Sequence, residues 1–108
     1  MQQAPYDPVI LDIAGYYYEK TGDIDTANRY FFAAVLYAPK SKDIRNNYGA
    51  FLCRNGYYAE SLKYFNTDHY AETQNMRENA QYCRAEMQRA LGAQTIYDYY
   101  ISQLGQAN

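Results

Sequence analysis

Landmark residues recur along this chain at one fixed separation, and a recurrence of that kind leaves few folds open. Gly49 stands 34 residues after Gly15, Gly56 the same distance after Gly22, Tyr64 after Tyr30 and Phe65 after Phe31. Ser61 answers Ala27 in the same way. The clearest copy, Asn46 to Phe65 (NNYGAFLCRNGYYAESLKYF), reads as helix, turn and helix. It has a small residue inside the first helix, a Gly at the turn, and Ser then Phe four residues apart in the second. A unit of that size buries its apolar face only against a neighbouring copy, so the recurrence predicts stacked helix pairs.

The separate helices are legible too. Asp7-Pro8 opens the first, because Asp caps free amide groups and Pro at the first helical position gives up no hydrogen bond; the helix should run from about Pro8 to Lys20. Leu11, Ala14, Gly15 and Tyr18 form a narrow inward strip, with Gly15 admitting a close neighbour. Thr21-Gly22-Asp23 stops and restarts the chain, Gly22 taking the left-handed conformation and Asp23 capping. Ile24, Ala27, Tyr30, Phe31, Ala34 and Val35 then keep helical spacing up to Pro39. Ser41 and Asp43 open a third helix with Tyr48, Gly49 and Leu52 inward, and Asn55-Gly56 ends it. A fourth, from about Tyr58 to His69, turns Leu62 and Phe65 inward.

Beyond His69 the period slips, and two registers compete. In the favoured one Ala93 and Tyr97 answer Ala27 and Phe31, Gln81 takes the glycine place, and Arg77 and Arg84 face inward. In the other, Met76, Ala80, Cys83, Met87 and Leu91 form the buried stripe. Either way a last helix from about Ala93 to Leu104 carries Ile96, Tyr97, Tyr100 and Leu104. The pattern as a whole matches the tetratricopeptide signature. The expected fold is all-α: a tetratricopeptide-repeat helical solenoid of about three helix-turn-helix units stacked as a right-handed superhelix. Residues 1–7 are an N-terminal extension, 8–104 a single domain with units at about 8–41, 42–73 and 74–104, and 105–108 a tail.

Composition narrows the function. Ten Lys and Arg against 12 Asp and Glu, a formal net charge of −2, give no electrostatic reason to bind nucleic acid or an anionic membrane surface. Fifteen Tyr with no Trp and four Phe put amphipathic rings into most of the packing, and such rings suit half-buried grooves. Cys53 and Cys83 form no metal set, since neither has a second ligand at the usual spacing and His69 is the one His. Both fall within helices, where small buried hydrophobe is the common role for Cys, and the spacing leaves open whether their sulfurs meet. No signal peptide or transmembrane run stands out, which fits a cytosolic chain or a trimmed mature domain. Catalysis has no foothold beyond a distant pairing of Cys53 with His69; no cofactor motif exists, and the expectation is a non-enzymatic binding module.

Stacked helix pairs turn their first helices toward a shared concave groove that takes a partner segment. The positions facing it are Asp12, Tyr16, Glu19 and Lys20 in the first unit, Asn46, Ala50, Cys53 and Arg54 in the second, and Glu78 and Tyr82 in the third. A clamp for chaperone C-terminal carboxylates would need Lys and Arg along this face; Asp12, Tyr16 and Glu78 stand there instead.

At NNYGAFLCRNG (Asn46 to Gly56) and ENAQYC (Glu78 to Cys83) the chain resembles the type IV pilus biogenesis/stability lipoproteins, the PilF/PilW family, with Gln81 departing where that family has Gly. The likeness covers roughly Leu11 to Cys83. It implies a periplasmic, outer-membrane-associated repeat protein that helps the pilus secretin localise and assemble, with secretin subunits or other pilus components as partners. The family's lipid-bearing Cys is not in this chain, so membrane attachment would come only through an anchor lying outside it. The family also carries more repeats than the three that fit here. The alternative is a generic cytoplasmic tetratricopeptide adaptor or secretion-chaperone-like module binding a peptide in the same groove. At the C-terminal end Tyr97, Tyr99, Tyr100 and Ile101 lie on more than one side of a helix; a monomer with those rings sealing the stack is expected ahead of a homodimer through them.

Overall fold

The computed structural model describes residues 7–65 and 74–106, and among these the protein is all-helical. Five helices follow in order: α1 (Pro8–Thr21), α2 (Ile24–Tyr37), α3 (Lys42–Arg54), α4 (Tyr58–Phe65) and α5 (Gln74–Gln106). The punctuation read from sequence holds. The Asp7 carboxylate accepts from the Val9 amide at 2.9 Å, Asp23 accepts from Thr26 at 3.2 Å and the Ser41 hydroxyl from Ile44 at 3.2 Å. Gly22 and Gly56 take φ of 89° and 88°, a region an L side chain rarely enters, and so the chain reverses there.

The two reversals make two helical hairpins, α1 on α2 and α3 on α4, with α2 resting on α3 and α5 on α4 and α3. One packing device is used in both. A Cβ on Gly15 would stand 2.8 Å from the Phe31 ring, and one on Gly49 would stand 2.6 Å from the Phe65 ring. Both rings are fully buried, so each helix crossing is as close as a missing side chain permits. Ala27 and Ser61, equivalent in the repeat, are likewise at 0% exposure. The Ser61 hydroxyl satisfies itself by donating to the Tyr58 carbonyl at 2.7 Å.

Around these crossings runs an aromatic core. Phe31 and Phe51 rings lie 4.8 Å apart, Tyr48 and Tyr64 meet edge to face at 4.7 Å, and Tyr18 stacks on Tyr30 at 5.4 Å. The Tyr48 hydroxyl donates to Asn28 at 2.7 Å, and burial, with Tyr64 and Glu60 adding to it, pushes its pKa up to about 12. A second cluster joins Phe65, Cys53, Ala80 and Cys83 between α3, α4 and α5.

The sequence expectation fails at the third unit. Where a broken pair was expected, Gln74–Gln106 is one helix of 33 residues. The favoured register is not the one adopted: Met76, Ala80 and Cys83 are buried, while Arg77, Arg84 and Tyr97 are exposed. The physical reason is that nothing stops the helix. Gly22 is followed at once by a capping Asp and Gly56 is preceded by Asn, but Gly92 sits between Leu91 and Ala93 with Gln94 next. A lone Gly weakens a helix by about 1 kcal/mol against Ala and does not end it. The expected reach of the fourth helix to His69 lies outside the described residues. None of the described helices is long and apolar enough to cross a membrane.

Candidate partner-binding groove

α1 contacts α3 and α3 contacts α5, and polar side chains link each to the next. Asn47 of α3 donates to Asp12 of α1 at 2.6 Å, and Asn79 of α5 donates to Asn46 of α3 at 3.0 Å. Arg54 grips Glu19 with two bonds, Nε to Oε2 at 3.0 Å and Nη2 to Oε1 at 2.7 Å, while Asn55 donates to the same carboxylate at 3.1 Å. Each link joins residues 33 to 36 positions apart and ties one helix to the next.

The structure brings most of the expected groove residues together and changes the standing of two. Tyr16 is 44% exposed and lies beneath the Arg54 guanidinium, 5.6 Å from its ring centre. With Glu19 and the exposed Lys20 these two line one hollow. Ala50, Arg54, Asn79 and Tyr82 line another, of about 120 Å³, floored by Phe65 and by Cys53 and Cys83. Tyr82 and Glu78 point outward, and Glu78 accepts from Gln74 at 2.8 Å. Asp12, by contrast, is only 8% exposed. Cys53 is bonded to Cys83 in a disulfide, Cα to Cα 5.9 Å, that ties α3 to α5. Its sulfur is therefore engaged in a bridge rather than acting as a free small hydrophobe, and the remote pairing with His69 concerns a residue outside the described ones.

Charge is unevenly satisfied along this wall. Burial pushes the Glu19 pKa up, but the Arg54 guanidinium and the Asn55 amide outweigh it, and the carboxyl ends below its ordinary 4.5. Its contribution is therefore present above that pH and lost on acidification. Arg54 is raised in turn, first by its hydrogen bond to Glu19. Asp12 goes the other way: desolvation raises it, and the Asn47 hydrogen bond offsets only part. One of its oxygens, Oδ1, is buried with no partner among the described residues. A raised carboxyl stabilises the fold below its unfolded value and loses that contribution as pH rises through the folded one. Asp12→Asn keeps the shape and removes the charge, so it should melt with the parent near pH 3.8 and below, and a few degrees above it at pH 7. Thermal melts across that range check the sign; equal melting at pH 7 would show that the carboxylate is not desolvated.

Asn47, Asn55 and Asn79 were not foreseen as groove residues. Their signal was present but weak: Asn disfavours helix interiors because its amide competes for backbone groups, so Asn47 and Asn79 invite the question of what they bond, while Asn55 stands at the C-cap of α3. Comparison with protein-family models, with curated proteins and with solved structures finds no match for this chain.

Proposed function

We propose that this protein is a tetratricopeptide-repeat scaffold that captures a protein segment in the groove along α1, α3 and α5. We further propose that it serves the assembly and outer-membrane localisation of the type IV pilus secretin, as the lipoproteins that its second unit resembles do. The observation that carries the groove reading is the Asp12 carboxylate, whose buried Oδ1 has no hydrogen-bond partner among the described residues. An acceptor held out of water at a cost is useful when a ligand brings the donor. The exposed Tyr16 and Tyr82 rings offer the apolar contact that an extended or helical segment needs. The repeat reading is supported by the two glycine–phenylalanine crossings at equal spacing.

A periplasmic location is supported by the Cys53–Cys83 bridge, because disulfides persist in oxidising compartments and are rare where thiols are kept reduced. The same bridge speaks against the cytoplasmic adaptor as the working alternative. Secretin subunits or other pilus components are the proposed partners.

Replacing Tyr16, Asn46 and Arg54 together by Ala tests the reading; none is buried, and because Asn46 and Arg54 also bond to Asn79 and Glu19, a Glu19→Ala, Asn79→Ala variant that loses the same links controls for the fold. The expected outcome is a helical spectrum like the parent's by circular dichroism with secretin multimers in cells lost or much reduced. Normal multimers beside a normal spectrum would take the groove out of the function.

A further inference from the structure

From Gln88 to Gly105 every residue of α5 is exposed. The aromatic rings expected to seal the end of the stack therefore do not: Tyr97, Tyr99 and Tyr100 are 59%, 59% and 62% exposed. The helix runs past the last hairpin as a free rod, and its side chains are not arranged at random. Successive residues of an α-helix turn by about 100°, which places Ala93, Ile96, Tyr97, Tyr100, Ile101 and Leu104 within about 70° of one line. Asp98, Thr95 and Ser102 lie on the opposite side, and Tyr99 stands about 130° from that line.

The segment also reads nearly the same in both directions. Ala93 to Asp98 is AQTIYD and Tyr99 to Leu104 is YYISQL, so Gln94 mirrors Gln103, Thr95 mirrors Ser102, Ile96 mirrors Ile101 and Tyr97 mirrors Tyr100. The mirror centre lies between Asp98 and Tyr99, and that unlike pair falls on the far face. At the ends Ala93 mirrors Leu104, small against large. Two such helices laid antiparallel about a twofold axis at that centre bring each residue against its own kind. This is the condition for an isologous contact, in which one patch is complementary to itself.

We propose that the apolar face of residues 93–104 is a homodimer seam: two copies pair their projecting α5 ends antiparallel, Ile96 on Ile101 and Tyr97 on Tyr100 of the second copy. Five large side chains, 48% to 66% exposed, leave roughly 600 Å² open per helix at about 200 Å² each, so pairing can bury at most roughly 1,200 Å², the lower edge of the range of stable interfaces. Antiparallel helix dipoles favour the same arrangement. No charged side chain interrupts the seam, and the two grooves end up at opposite ends of the assembly.

Sedimentation equilibrium from about 1 to about 100 µM tests this, since a dimer's population follows concentration. The parent is expected to be dimeric, Tyr100→Glu to raise the dissociation constant at least about 100-fold, and Tyr99→Glu, an equally exposed ring off the seam, to leave it unchanged. Ile96→Glu alone should also dissociate the dimer. Adding Ile101→Lys should restore it, because only the antiparallel register sets the new carboxylate against the new ammonium. A parent that stays monomeric, whether its rod folds back on its own stack or serves another protein, overturns the proposal. So does equal dissociation by Tyr99→Glu and Tyr100→Glu, or a double variant that fails to reassociate.

Discussion

Reducing the Cys53–Cys83 bridge is expected to lower the stability of the folded chain by about 3–4 kcal/mol, the loop entropy released when cysteines 30 residues apart are set free. The loss should be local in origin. α5 meets the rest of the protein mainly through α4, with a narrower contact on α3, and the bridge clips it at that narrower contact. Once it opens, Met76, Ala80 and Cys83 have only the short α4 and the edge of α3 to hold them. Thermal melts with and without reductant, alongside a Cys53→Ala, Cys83→Ala variant, measure the effect. Hydrogen exchange should show α5 losing protection first while the α1–α2 hairpin keeps most of its own. Melts unmoved by reductant and by the double substitution would mean that packing alone secures α5.

Gly49→Leu is expected to cost about 3 kcal/mol, at the upper end of what overpacking does. Even the first atom of the new side chain would stand 2.6 Å from Phe65, and that ring, at 0% exposure, has nowhere to turn. Either α3 moves off α4 and opens the cluster that holds Cys53 and Cys83, or Phe65 leaves its site. Gly92→Leu is the internal control: nothing lies within 4 Å of that position, and the change replaces a poor helix residue with a good one. Chemical denaturation of both variants decides the matter. Similar stabilities for the two would show that the close crossing does not exist.

The contrast between those glycines also explains what could be read from the sequence. Gly15 and Gly49 announced themselves because each recurs with its Phe, and a pair of residues repeating together reports a contact rather than a composition. Caps at Asp7, Asp23 and Ser41 were legible for a similar reason: local chemistry sets them, and no tertiary packing overrides it. The expected helix start near Ala93 rests on the distance of Ala93 and Tyr97 from Ala27 and Phe31, while helix ends are decided by neighbours, and the neighbours of Gly92 are helix formers. The stripe of Met76, Ala80, Cys83, Met87 and Leu91 is the better apolar pattern, and its first three members are buried while Leu91 is 60% exposed. Among the expected groove residues, Asp12 is deeper than helical spacing suggests, at 8% exposure. Helical spacing gives direction around an axis, not how closely the next helix approaches.

The order in which the contacts close has a kinetic consequence. Phe31 meets Gly15, and Phe65 meets Gly49, across a single tight turn, so either hairpin can form early from neighbouring parts of the chain. The native pairing of Cys83 with Cys53 is instead held by the docking of α5 on α4 and α3. Docking raises the effective concentration of one thiol at the other and should speed oxidation of the reduced protein. The rate at which free thiols disappear during refolding then reports on that docking, readable without any probe added to the chain.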